Sequence, residues 1–303
     1  MPLRESVSRE AAVLAERTRR QIEAMQDVSL VRMRRLYRDA AKKIAQKVAA
    51  HWGDVSYLKR IYDDLAKDLL RLGGKIQDEI EREMARAVNA GLVSSNGQGQ
   101  LVVPYLRGNQ SPIITGASLT RAREAAIRTL QTSVSGIRLS ERIWKFHEAT
   151  LTAMRQVVSE GMLARDFRGT VVQRLKRFLI ISDSDMRKKE WIEFFKRHPP
   201  GRGVYRSAYK NAERLLRTET MRAYRVSTAE YAKRRAWVHG VRWRLSAAHS
   251  RPDICEEFAN ADYYGLGPGV YPPDATPDSA HPHCMCYLEL VPREELTGEM
   301  AAA

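Results

Sequence analysis

The sequence predicts a mainly α-helical protein that ends in a small α+β module, with long helices and a helical hairpin at the N-terminus. Two observations lead to this fold class. Apolar residues recur every three or four positions over residues 8–50 and again over 55–88, among many Ala, Glu, Arg and Lys. After Trp237 the pattern changes to strand-like alternation and to segments rich in Gly, Pro, Asp and Tyr.

The first two helices are predicted to form the hairpin. Residues 51–54 interrupt the helical pattern, and the second helix is weakened or kinked at Gly73 and Gly74. Because only this short break separates two long helices, we expect the helices to pack antiparallel.

Glycine and proline mark the boundaries of the later elements. Residues 90–117 contain seven of them and predict a loop insertion. A later helix should have Ser140 as its N-cap and should end at Gly161. The helices predicted beyond the insertion cover residues 118–132, 141–160, 170–180 and 204–236. The predicted strands cover residues 241–245 and 286–291, with loops over 260–285.

These elements divide the chain into three regions and a tail, with a linker at residues 198–203. The regions are a helical N-terminal region (1–139) that holds the loop insertion, a helical body (140–200), a C-terminal α+β module (201–295) and a tail (296–303).

The charge indicates a negatively charged partner. The 303 residues carry 51 Lys and Arg against 36 Asp and Glu, a net charge of +15. The sign changes along the chain, because residues 201–251 hold a net +10 and residues 252–303 a net −9. A phosphate backbone and an acidic protein surface both suit the basic part.

The sequence predicts neither a membrane span nor a secretory signal. The longest uncharged stretch, residues 87–106, is too polar to cross a bilayer, and residues 1–30 hold arginines without an apolar core. Three cysteines are too few for a scaffold built on disulfides, and they suit a reducing cytosol. We therefore expect no membrane partner.

All three cysteines lie within residues 249–286, together with several histidines. Thiolates and imidazoles that lie close together suit zinc, which takes four such ligands in a tetrahedron. We expect a zinc clip that holds a segment with little apolar area to bury. The candidate ligands are Cys255, His281, His283, Cys284 and Cys286, with His249 as a substitute nitrogen ligand. The alternative is three reduced cysteines that only pack.

The sequence favours a protein that is not an enzyme. It contains no G-x-x-x-x-G-K-[ST], no G-x-S-x-G and no H-E-x-x-H. The glycines of residues 265–269 do not predict a phosphate loop, since Pro268 removes a donor amide. The one catalytic alternative is a thiol triad of Cys255, His281 and Asp253.

An ordered set of short motifs resembles a known family. The motifs are Arg217-Thr218-Glu219-Thr220, Trp243-Arg244-Leu245, Asp253-Ile254-Cys255, Pro272-Pro273 and His281-Pro282-His283-Cys284-Met285-Cys286. This order is similar to that of the phage Mu F-like minor head proteins, also called phage head morphogenesis proteins. The likeness covers residues 140–295. Many of these relatives carry a second cysteine three positions after the first, where this chain has Phe258.

The resemblance implies a minor capsid protein of a tailed bacteriophage. Such a protein associates with the portal, with other head proteins and with the procapsid, in several copies per particle. It lies in the virion head near the portal, after assembly in the host cytoplasm, and some relatives meet the packaged double-stranded DNA.

Basic residues of the 204–236 helix are the predicted contact surface for nucleic acid or the portal. They are Arg206, Lys210, Arg214, Arg222 and Arg225, whose spacing of three to eight residues places several on one stripe of the helix. A second hypothesis is a nucleic-acid-binding protein with a zinc-clipped module. It predicts DNA binding that weakens steeply as salt rises.

Overall fold

The computed structural model describes residues 3–105, 116–131, 138–200, 205–249 and 251–293. Over these residues the protein is mainly α-helical with one small antiparallel sheet, which confirms the predicted fold class. The helices are α1 (Leu3–Ala50), α2 (Leu58–Gln100), α3 (Gly116–Gln131), α4 (Leu139–Leu163), α5 (Arg168–Leu179), α6 (Asp183–Met186), α7 (Lys189–Arg197), α8 (Ala208–Ala232) and α9 (Ile254–Asn260). The strands are β1 (Val238–Arg244), β2 (Val270–Tyr271) and β3 (Tyr287–Pro292).

The contacts between Cα atoms divide the chain into two units, each built from separate stretches of sequence. The first unit contains residues 1–26, 82–132 and 216–303, and the second contains residues 27–81 and 133–215. Helices α1, α2 and α8 therefore contribute residues to both units. The boundaries predicted at residues 139 and 200 stay predictions.

The sheet belongs to the first unit, and β1 is its central strand. The strand order is β2-β1-β3, and both pairings are antiparallel. Val241 lies opposite Tyr271 on one side and Leu290 on the other. Strand β3 is buried along its length, and the Gln98 side chain of α2 accepts a hydrogen bond from the Leu290 amide at 2.9 Å. The strands predicted over residues 241–245 and 286–291 are confirmed as β1 and β3.

Ion pairs between α1 and α2 in the second unit have the register of an antiparallel hairpin. Lys47 pairs with Asp68 at 2.7 Å, and Arg32 pairs with Glu79 at 2.6 Å. As the residue number falls along α1, the number of its partner rises along α2. The predicted break at residues 51–54 is confirmed, since a turn separates the two helices there.

The loop predicted over residues 90–117 is wrong at its start, because α2 continues to Gln100. Gly91 does not mark a turn. A Cβ atom at this position would overlap the Ser227 hydroxyl of α8, so the glycine allows the two helices to approach closely. Residues 106–115 of the predicted loop lie outside the described residues.

The predicted ends of α4 are also wrong. The N-cap is Arg138, whose amide donates to the Glu141 carboxylate at 2.9 Å, and Ser140 lies inside the helix. The helix continues past Gly161 to Leu163. A Cβ atom on Gly161 would lie 2.6 Å from Val171, so this glycine serves the packing of α4 on α5.

The second unit contains an aromatic cluster that the sequence pattern did not predict. Helix α7 buries Trp191, Phe194 and Phe195, and the ring of Phe178 from α5 lies 5.3 Å from the Phe194 ring. Such edge and tilted ring contacts add to the stability gained from burial. Within the described part of the chain, none of the helices combines the length and the apolar composition that a membrane span requires.

Candidate metal centre

Cys255 is held at the start of α9 by a capping box. The Asp253 side chain accepts a hydrogen bond from the Cys255 amide at 2.7 Å, and the Asp253 amide donates to the Glu256 carboxylate at 2.6 Å. These bonds satisfy amides of the first turn that lack a partner within the helix. They fix the Cys255 side chain, which is completely buried.

The other two cysteines arrive on the return segment before β3. The Cys284 amide donates to the His281 carbonyl at 3.2 Å, which closes a turn. His283 in this turn has a φ of 63°, and its amide donates to the Thr218 hydroxyl of α8 at 3.2 Å. Cys284 and Cys286 are both buried, so the turn places two thiols in the interior.

The three cysteines and two histidines form one cluster around the Cys255 sulfur. The Sγ atoms of Cys255 and Cys284 are 3.6 Å apart. Ligand atoms of Cys255, His281 and Cys284 lie within 4.8 Å of one another, as do those of His249, Cys255 and Cys286. The structure thus brings together four of the five predicted ligands with the substitute His249.

His283 is the predicted ligand that joins neither of these groups. Its backbone amide donates a hydrogen bond to the Thr218 hydroxyl. In the sequence, two histidines precede the C-x-C pair, and the spacing alone does not predict which imidazole joins the cysteines. The direction of each side chain depends on the backbone of the turn, where His283 has a left-handed conformation.

Hydrogen bonds leave one ring nitrogen of each clustered histidine for a metal. His249 Nε2 lies 2.7 Å from the Glu256 carboxylate, so its Nδ1 is left. His281 Nδ1 lies 2.8 Å from the Pro282 carbonyl, to which it donates. His281 Nε2 is buried and makes no hydrogen bond, although it lies 3.0 Å from Asp253. Partners of this kind orient metal-binding imidazoles.

The three thiols interact strongly enough to separate their pKa values. Hydrogen bonds from Cys255 and then Cys286, helped by the Arg225 charge, hold the pKa of Cys284 well below its usual value. The hydrogen bond to Cys284, then the one to Cys286 and burial, raise the pKa of Cys255. The cluster therefore favours one thiolate, at Cys284, which two neighbouring thiols stabilise.

Arg225 lies beside the thiols and is almost completely buried. Its guanidinium donates to the Cys286 carbonyl at 2.8 Å, lies 3.8 Å from the Cys284 sulfur, and sits 5.3 Å from the centre of the Trp243 ring. A second donation, to the Asp278 carbonyl at 2.8 Å, ties down the loop before the cysteines. A fixed positive charge here stabilises thiolates.

The predicted contact stripe is wrong at two positions. Arg222 and Arg225 face the interior of the first unit, where Arg222 pairs with Asp278 at 2.6 Å. Buried, paired guanidinium groups are not available to an outside partner. At the start of α8, Lys210 pairs with Asp183 at 3.1 Å, and Arg214 lies over the Tyr205 ring. For Arg206, Lys210 and Arg214, contact with nucleic acid or the portal stays a prediction.

The donor set fits zinc. Zinc–sulfur bonds of about 2.3 Å in a tetrahedron place two sulfurs about 3.8 Å apart, close to the distance between Cys255 and Cys284. Three thiols and one imidazole would give the four ligands of a Cys₃His site, and Cys255 belongs to both thiol-containing groups whose donor atoms lie within 4.8 Å. Phe258, three positions after Cys255, packs edge-on against Trp243 with the ring centres 5.3 Å apart and supplies no ligand.

The same geometry does not suit the thiol triad. Cys255 is completely buried, whereas a nucleophile must reach a substrate. His281 Nδ1 is bonded to the Pro282 carbonyl, so Nε2 alone would have to serve both Cys255 and Asp253. In a triad each of these partners takes its own ring nitrogen.

Comparison with known proteins adds no relative. No family model, no curated protein and no solved structure matches the chain.

Proposed function

We propose that the protein is a minor head protein of a tailed bacteriophage, which associates with the portal and other head proteins during assembly. The observation that supports this proposal is the convergence of the motifs on which the resemblance rests. Thr218 of the Arg-Thr-Glu helix binds the His283 amide, and the Cys255 sulfur meets Cys284. Trp243 lies under Arg225, which in turn binds the Cys286 carbonyl.

The motifs lie within residues 217–286, separated by gaps of 7 to 22 residues, and they come from α8, β1, the start of α9 and two further segments. Short motifs of this kind occur by chance when each is taken alone, but chance gives no reason for them to meet in one packed module. If the motifs belong to one family, they are expected to lie together in one folded module. The acidic C-terminal part suits contact with a protein, and the basic part suits DNA or an acidic portal surface.

A structural zinc is part of the proposal. Cys255, Cys284 and Cys286 would supply three thiolates, because Cys255 belongs to both groups of donor atoms that lie within 4.8 Å of one another. His281 would supply the fourth ligand through its buried Nε2, which faces the Asp253 carboxylate at 3.0 Å. Zinc would hold the return segment against α9. Replacement of His281 with Gln should lower the zinc content of the purified protein, whereas the matched His249→Gln should keep it. The reverse pattern would assign the fourth position to His249.

Particle fractionation tests the proposed function. Procapsids and mature particles from a host that makes this protein are purified on a density gradient and analysed by quantitative mass spectrometry. We expect a few copies per particle, at a constant ratio to the portal protein, with an abundant host protein as the contamination control. Recovery only in the lysate, at the level of that control, would contradict the proposal.

A nucleic-acid-binding protein with a zinc-clipped module is the second candidate, and the thiol cluster supports it equally. Fractionation also separates the two candidates, because a free nucleic-acid-binding protein follows the DNA of the lysate and stays out of the particles.

A further inference from the structure

A basic pocket lies between α1 and α5 in the second unit. It has a volume of about 400 Å³, and its lining consists of the cationic residues Arg38, Lys42, Lys176 and Arg177 together with Ala41, Gln173 and Ile180. No acidic residue is among its lining residues. Four like charges around one concavity repel one another unless an anion lies between them.

Within the part of the chain that the structure describes, only Arg177 of these four cations has an ion-pair partner. Arg177 pairs with Asp185 at 2.7 Å and lies over the Trp191 ring, so it is held in place. Among the residues that the structure describes, Arg38, Lys42 and Lys176 take part in no ion pair. The basic residues at the start of α8 differ, since Lys210 there already has two carboxylate partners.

The positive charge continues out of the pocket along α1. Arg35, Arg38 and Lys42 are spaced by three and four residues and are exposed, so they share one face of the helix, which also carries the exposed Asp39 and keeps a net positive charge. With a rise of 1.5 Å per residue, this row is about 10 Å long. A row of that length exceeds a single phosphate ion and suits successive phosphates of a polymer.

We propose that the basic pocket binds phosphate groups of a nucleic-acid backbone, with double-stranded DNA as the ligand. Arg38 binds a phosphate through two parallel N–H donors, and Lys42 and Lys176 act as point charges. Ile180, which is half-buried in the pocket lining, supplies apolar contact to the sugars. Contacts of this kind carry affinity without sequence preference. The inference rests on the charge of the second unit and not on the proposed function.

The test is binding of a fluorescent 20-base-pair duplex, measured by anisotropy over a range of salt concentrations. The pocket variant is R38Q/K42Q/K176Q, which leaves the ion-paired Arg177 intact. The control variant, K59Q/R60Q/K67Q, removes the same charges from exposed positions of α2 outside the pocket. We expect the pocket variant to bind roughly tenfold or more weakly at low salt, with a log–log salt slope smaller by up to about three.

The control variant should bind within about twofold of the wild type, and R38K/K42R/K176R should keep the salt slope. Equal loss of duplex binding in the pocket and control variants, or no loss in the pocket variant, would overturn the proposal.

Titration with inorganic pyrophosphate and with fluorescent polyglutamate tests whether a small phosphate ion or an acidic peptide is the ligand instead of DNA. A pocket variant that binds pyrophosphate more weakly but binds the duplex as the wild type does would contradict DNA as the ligand. So would a variant whose affinity for polyglutamate falls as much as its affinity for the duplex. Any of these results leaves the particle experiment unaffected.

Discussion

At the scale of single residues, Arg225 links the parts of the C-terminal module. One side chain from α8 binds the carbonyls of Asp278 and Cys286 and covers the Trp243 ring. In the sequence it is one arginine among many, and its three-residue spacing from Arg222 indicates only a shared helix face. Whether that face is inner or outer depends on the rest of the fold.

Replacement of Arg225 with Leu should therefore destabilise the protein. The substitution removes the donor to the part-buried Asp278 carbonyl and to the buried Cys286 carbonyl, and it removes the charge beside the Cys284 sulfur. We expect the free energy of unfolding to fall by about 2–4 kcal/mol in urea denaturation. The control is Arg206→Leu, near the start of α8, which should change it by less than about 0.5 kcal/mol. Equal effects of the two substitutions would contradict the role of Arg225.

His147 gives the second unit a dependence on pH. Its Nε2 lies 3.2 Å from the Tyr37 hydroxyl, and its Nδ1 lies 3.0 Å from the Ile143 carbonyl. Burial lowers the pKa of His147 from 6.5 to about 4, against a smaller opposing effect of the Ile143 hydrogen bond. Between these two values the unfolded chain binds a proton that the folded protein does not. Stability should therefore fall as the pH falls through this window.

The expected loss from this residue is roughly 3 kcal/mol between pH 7 and pH 4. It is measured as the change in the free energy of unfolding between the two pH values, in the wild type and in His147→Gln. The variant should lose less with acid, whereas His51→Gln, at a half-exposed histidine, should behave as the wild type. The same acid loss in His147→Gln and the wild type would show that His147 is not responsible.

At the scale of helices, two glycines of α2 differ in the space around them: Gly91 packs closely against α8, whereas Gly74 lies at an open position. A Cβ atom on Gly91 would overlap Ser227 and lie 3.0 Å from Tyr224, whereas one on Gly74 would meet nothing within 4 Å. Both positions are helical, so replacement with Ala has the same effect on helix propensity at each.

Gly74→Ala should raise the free energy of unfolding by up to about 1 kcal/mol. Gly91→Ala should lower it by roughly 1–3 kcal/mol, because α8 must move away. Denaturant titration of the two variants measures both changes. Changes of the same sign would mean that α2 and α8 do not pack closely at Gly91.

These glycines also show how far the sequence predicts the helices. Apolar spacing predicts α1, the start of α2 and the hairpin, because periodicity follows directly from the buried face. Glycine counts place a loop where α2 continues to Gln100, since a glycine required for helix packing and a glycine required for a turn look alike in one sequence. Helix α7 is missed because nine residues give too few periods to recognise.

At the scale of the whole molecule, the sequence predicts the thiol cluster but not its surroundings. All three cysteines lie within residues 249–286, whereas the Asp253 cap that holds one of them is known only from the structure. The choice of His249 and His281 over His283 depends on one left-handed residue, and the nearby Arg225 comes from another helix. The sequence also does not predict the basic pocket, because its cations come from two helices that are far apart in the sequence.

Zinc content is the measurement that tests the central claim most directly, namely that the C-terminal module is organised around a metal-binding thiol cluster. The protein is purified without chelators, and zinc per chain is measured by elemental analysis for the wild type and for Cys255→Ser. We predict about one zinc per chain in the wild type and almost none in the variant, as expected when one thiolate of a Cys₃His site is removed. A wild-type protein that is folded and free of zinc after exposure to zinc salts would contradict the claim.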